Sequence, residues 1–142
     1  MRRGTEAVLA AALTLILGVG FWLFTGESIG NGQTDTTVAI EFDDAAAARG
    51  ETLASESGCL ACHTIDGTPG TGPTWKGLAG SSRPLESGET VTADDAYLTL
   101  AIIDPNAQVV EGFNPVMPTD YAQSLTDDEV ADLVEYIKSL GS

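Results

Sequence analysis

Both cysteines and the single histidine of this 142-residue chain fall within five positions, in "CLACH": Cys59, Cys62 and His63. Few chemistries use two thiols and an imidazole at that spacing. In an exported protein, C-x-x-C-H reads as covalent attachment of haem c. Two thiols one helical turn apart can add to the two vinyl groups along one side of a porphyrin. The next residue, His63, then presents its imidazole to the iron from that side. The alternatives fail on inventory. A tetrahedral structural zinc site takes four ligands, and Cys and His supply three here. A thioredoxin-like C-x-x-C expects a preceding strand in a βαβ unit, which this sequence does not offer. A disulfide closing so short a loop would stabilise little and leave His63 unexplained.

Haem iron needs a sixth ligand or an open site, and that choice separates a carrier from an enzyme. The chain has two methionines, Met1 and Met117, the latter in "NPVMPTD", 54 residues after His63. Pro115 and Pro118 flank Met117 and would stiffen the loop that presents it. A lone Met is more often a core gap-filler than a ligand. Here the far face of a haem must be covered, so His63 and Met117 are the expected metal ligands. His/Met ligation fills both axial positions and raises the potential, which suits electron transfer. The rival expectation is a haem enzyme or gas sensor with an open iron site, weakly peroxidase-like. No residue is read as catalytic.

The haem reading requires export, and the N-terminus provides for it. After Arg2 and Arg3, residues 7–25 carry no charge. Nineteen residues at 1.5 Å each reach about 28 Å, enough for a hydrocarbon core of roughly 30 Å. Basic residues before the run and acidic ones after it place the N-terminus in the cytoplasm and the rest on the periplasmic side of a bacterial inner membrane. Residues 1–25 are read as an anchor, with a cleaved signal as the competing reading. Residues 26–42, rich in Gly, Thr and Asp, form a flexible linker, and residues 43–142 the functional domain.

Beyond residue 25, twenty acidic residues stand against four basic ones, Arg49, Lys76, Arg83 and Lys138. That balance disfavours nucleic acid and anionic lipid as partners. It fits either docking to a basic patch on a partner or adaptation of the whole surface to salt.

The elements that position these residues are mostly helical. "DDAAAARGETLASES" predicts a helix capped by Asp43 or Asp44 and leaving through Gly58, with Gly50 inside it at a cost of about 1 kcal/mol against Ala. Residues 64–90 hold six glycines and three prolines, too many for a long element. "TADDAYLTLAII" predicts a helix with Thr92 as N-cap and Asp95 three positions on. The last helix is capped by Thr126 with Glu129 completing the box. Its apolar face is Val130, Leu133, Val134 and Ile137. No strand pattern is predicted.

In order and spacing, "RGETLASESGCLACH", "TGPTWKGL", "VMP" and "LTDDEVADLVEYIKSL" resemble class I c-type cytochromes over about residues 44–140. The resemblance implies an all-α fold around one covalently bound haem, with the first and last helices crossing at Gly50 against Leu133 and Tyr136. It implies that Pro73 offers its carbonyl to the far nitrogen of His63. Trp75, Tyr97 and Phe113 would pack near the haem. Arg83 is read as facing solvent, with offsetting of the haem propionates as its other role. Residues 77–118 further resemble the cytochrome domain of haem-copper oxidase subunit II and the mono-haem subunit of alternative complex III. The implied function is single-electron transfer in a respiratory or photosynthetic chain. Two settings are open: a subunit of such a complex, or a membrane-tethered shuttle to a membrane redox complex or a soluble electron carrier.

Overall fold

The computed structural model describes residues 40–141. The candidate anchor and most of the linker lie outside them. Among the described residues no helix is long and apolar enough to cross a membrane. Among the described residues four helices, α1 (Asp44–Glu56), α2 (Asp95–Ile103), α3 (Tyr121–Ser124) and α4 (Asp127–Ser139), carry most of the regular structure. A single 3₁₀ turn covers Cys59–Ala61. Ile40, near the end of the expected linker, packs against the core.

Helices α1 and α4 form the frame. Asp43 caps α1, its carboxylate accepting from the Ala46 N–H at 2.7 Å. Gly58, at φ +74°, takes the chain out of α1 as a left-handed residue. Thr126 and Glu129 close the predicted capping box on α4. Val130, Leu133, Val134, Tyr136 and Ile137 are buried along α4, where the 3.6-residue period places them. The helices cross at Gly50, whose missing side chain lets α4 approach. A Cβ there would lie 2.6 Å from the Asp132 carbonyl carbon and 2.8 Å from Tyr136 Cβ. The predicted pair was Leu133 and Tyr136; it is the Asp132 backbone that comes closest, because Leu133 turns into the core at 1 % exposure.

Beside the crossing, Arg49 donates a fork of two hydrogen bonds, 2.7 and 2.6 Å, to the Asp132 carboxylate. That fork holds the Asp132 carboxyl below its ordinary 3.8. A carboxyl depressed on folding stabilises the fold above its unfolded pKa, and the effect is lost as pH falls through the folded one. The stability advantage of the wild type over Asp132→Asn is therefore expected to be complete above about pH 5 and to be lost as pH falls through the depressed folded-state pKa. Thermal unfolding of both proteins across that range checks this.

Two sequence expectations are corrected. A short antiparallel hairpin pairs β1 (Ser82–Pro84) with β2 (Thr90–Thr92), Arg83 opposite Val91. Three-residue strands are too short to show alternation, and Pro84 can sit there because the sheet has only edges. Helix α2 starts later than predicted. Its cap is Asp94, which accepts from the Tyr97 N–H at 2.9 Å, because Thr92 is drawn into pairing with Ser82. The hairpin also fixes the chain that follows α2. Glu86 N–H donates to the Val109 carbonyl and Glu111 N–H to that of Pro84, both at 2.9 Å. Residues 108–110 are thereby held in one wall of the cleft described next.

Candidate functional site

An apolar cleft of about 1140 Å³, counted to its open mouth, runs through the domain. Cys59, Cys62 and His63 line it, and so does Met117 on the 113–118 loop. Helix α2 contributes Tyr97, Leu98, Ala101 and Ile102 from one face, and α4 contributes Ile137.

His63 is held in a fixed orientation by the loop after it. Two backbone bonds fold that loop back, Gly72 N–H to the Cys62 carbonyl at 3.0 Å and Trp75 N–H to the Thr64 carbonyl at 2.8 Å. Pro73 falls between them, and its carbonyl accepts from His63 Nδ1–H at 2.8 Å. That bond leaves Nε2 with its lone pair, the arrangement a metal-binding imidazole needs. Burial pushes the His63 pKa below 6.5, against the smaller opposing pull of the Pro73 carbonyl, so the ring is neutral at pH 7. Trp75, 5 % exposed, stacks on the ring at 5.2 Å between centroids.

Gly72 was not singled out by the sequence, although it immediately precedes Pro73. A Cβ there would lie 2.6 Å from His63 Cε1 and 2.8 Å from Nδ1, so the ring could not keep its place. Gly72→Ala is expected to disturb the haem spectrum and to lower unfolding stability by about 1–3 kcal/mol. Absorption spectra and denaturant titration of the holoprotein check both effects.

The cleft fits a flat apolar group bearing anionic arms. Among the described residues only two buried side-chain polar atoms lack a protein partner, Arg83 Nε and Gln108 Oε1. Arg83 was expected to face solvent; instead it is half-buried beside Tyr97. Burial raises the Tyr97 phenol pKa, and the Arg83 guanidinium draws it part of the way back. A buried guanidinium N–H without an acceptor suits a carboxylate arm. Gln108 lines the cleft, and its amide can be turned to donate as well. It is one amide in an irregular stretch, and nothing in its spacing marks it. Phe113, also expected near the haem, lines the cleft half-buried. Cys59 is buried, which raises its thiol pKa, and Cys62 is exposed.

A mostly helical fold with a C-x-x-C-H turn lining an apolar cleft defines a c-type cytochrome. A model of the cytochrome c family matches residues 47–141, and the chain belongs to that family. Cytochrome cH from Methylobacterium extorquens is similar at 30 % identity over 66 % of this chain and 97 % of its own, with a TM-score of 0.47. No curated protein matches. Family membership implies covalently bound haem c, and the single C-x-x-C-H motif gives one haem per chain. Members of the family are electron carriers, and this chain's function is electron transfer by a c-type cytochrome.

Proposed function

We propose that the chain carries single electrons on the periplasmic side of a bacterial inner membrane, held there by residues 1–25 as an anchor. In this reading Cys59 and Cys62 hold the haem, His63 and Met117 are its axial ligands, and Pro73, Trp75 and Tyr97 complete the cofactor site. One observation carries it: Cys59, Cys62, His63 and Met117 converge on one cleft from segments 54 residues apart. Bound haem c supplies one-electron exchange between ferrous and ferric iron. The chain's own residues do the rest. Pro73 fixes the imidazole, Pro115 and Pro118 stiffen the thioether loop, and the apolar walls exclude water.

The electron route proposed is through a membrane redox complex, alternative complex III or a haem-copper oxidase, with the chain as fixed subunit or tethered shuttle. The whole oxidase subunit is a poor fit. Its dinuclear copper centre needs two cysteines and two histidines of its own, whereas both cysteines here belong to the C-x-x-C-H turn. Gentle solubilisation of native membranes, a native gel and mass spectrometry of the haem-stained band test the setting. Co-migration with quinol-oxidising or oxidase subunits is expected of a fixed subunit. Migration alone at low mass would point to the shuttle, and recovery in the soluble fraction would overturn the anchor.

A further inference from the structure

The segment that carries Met117 is tied to the rest of the domain very sparingly. Within it, Val116 N–H donates to the Asn114 carbonyl at 2.9 Å, and the Asp120 carbonyl accepts from the Gln123 and Ser124 N–H groups at 3.0 Å. Leu125 N–H closes the turn of α3 onto the Tyr121 carbonyl at 2.9 Å. All of these bonds are local. Upstream, Glu111 N–H fastens the chain to the hairpin at the Pro84 carbonyl. From there to the cap of α4, one hydrogen bond among the described residues leaves the segment. It is the Tyr121 hydroxyl, donating to the Ser57 carbonyl at 3.3 Å across 64 positions of sequence.

The two ends of that bond are well placed. Tyr121 stands four residues after Met117, and Ser57 two residues before Cys59. The bond therefore joins the segment bearing the thioether to the segment bearing the two thiols and His63. The Ser57 carbonyl lies at the C-terminal end of α1, where helix carbonyls have no partner within the helix. Among the described residues no backbone N–H donates to it. The Tyr121 ring is half-buried against the core and lines the cleft with Met117 and Pro118. Phenylalanine would supply that packing equally well, so the hydroxyl is what tyrosine adds.

Resting on the reading of Met117 as an axial ligand, we propose that Tyr121 is a positioning residue for that ligation. Its hydroxyl clips the Met117 segment to the haem-attachment segment and limits how often the thioether swings away. Opening of this kind is a local event, separate from unfolding of the α1–α4 frame.

The test is the affinity of the ferric holoprotein for added imidazole, read from the absorption spectrum at neutral pH. Imidazole takes the sixth position only when the thioether has left: one iron–sulfur bond breaks, one iron–nitrogen bond forms, and the iron keeps its oxidation state. Apparent affinity therefore follows the population of the open segment. Tyr121→Phe is expected to raise it about three- to tenfold, the weight of one ordinary hydrogen bond. Asp132→Asn, which weakens the frame without touching this segment, is expected to lose thermal stability and keep the wild-type affinity. Met117→Ala sets the fully open limit. An unchanged affinity in Tyr121→Phe, or an equal gain in Asp132→Asn, would overturn the role of Tyr121 alone. A wild type that binds imidazole as tightly as Met117→Ala would remove Met117 from the iron, and this inference with it.

Discussion

Met117→Ala is expected to lower the reduction potential by at least about 0.1 V, a fraction of the roughly 0.8 V that axial ligands can span. The far-red methionine-to-iron band of the ferric protein should disappear, and the ferrous protein should bind carbon monoxide. The expectation is strong because the cleft has no substitute for this thioether. The only other methionine is Met1, and the chain has no second histidine. The two lysines stand elsewhere: Lys138 on α4 reaches Glu135 at 2.7 Å, and Lys76 lies beside Gly67. The alanine variant would therefore leave a coordination position open to small external ligands. Met117→His separates ligation from packing. It should close the iron to carbon monoxide again while leaving the potential low, since imidazole does not raise it as a thioether does. Potentiometric titration and carbon monoxide difference spectra of the three proteins decide the matter. An unchanged potential in Met117→Ala would remove Met117 from the iron.

The second large effect concerns the frame. Gly50→Ala would ordinarily stabilise an exposed helix by about 1 kcal/mol. Here the added methyl meets the backbone of α4 at Asp132 and the Cβ of Tyr136, neither of which can rotate away. The helices must move apart, loosening Leu133 and the Arg49–Asp132 fork together. A net loss of at least about 2 kcal/mol is expected, against a total of about 5–15 kcal/mol for a domain. For about 100 residues that is a fall in Tm of roughly 10 °C. Thermal unfolding of the holoprotein measures it, and a variant as stable as the wild type would mean that the crossing is looser than its geometry.

How far the sequence reached depended on whether a feature is local. The caps at Asp43 and Thr126, the exit at Gly58 and the apolar face of α4 depend on neighbours within one or two turns, and they could be read directly. The C-x-x-C-H turn is local too, and its chemistry follows from three residues. The hairpin at 82–92 could not be read, because its strands are short and its partner, Val110 opposite Leu85, lies 25 residues away. Pairing of Thr92 with Ser82 in turn displaced the start of α2. Arg83 was assigned to solvent on the ordinary behaviour of arginine. Only the fold brings it against Tyr97. Gly72 shows the same limit, since the need for glycine arises from a ring nine residues earlier in the chain.

The most direct test of the central claim, that this chain is a carrier with both axial positions of its iron filled, is the absorption spectrum of the wild-type ferrous holoprotein before and after carbon monoxide at neutral pH. The expected result is no change on the timescale of mixing. A prompt shift to the spectrum of a carbon monoxide adduct would contradict it and make the protein a haem enzyme or gas sensor with an open iron site.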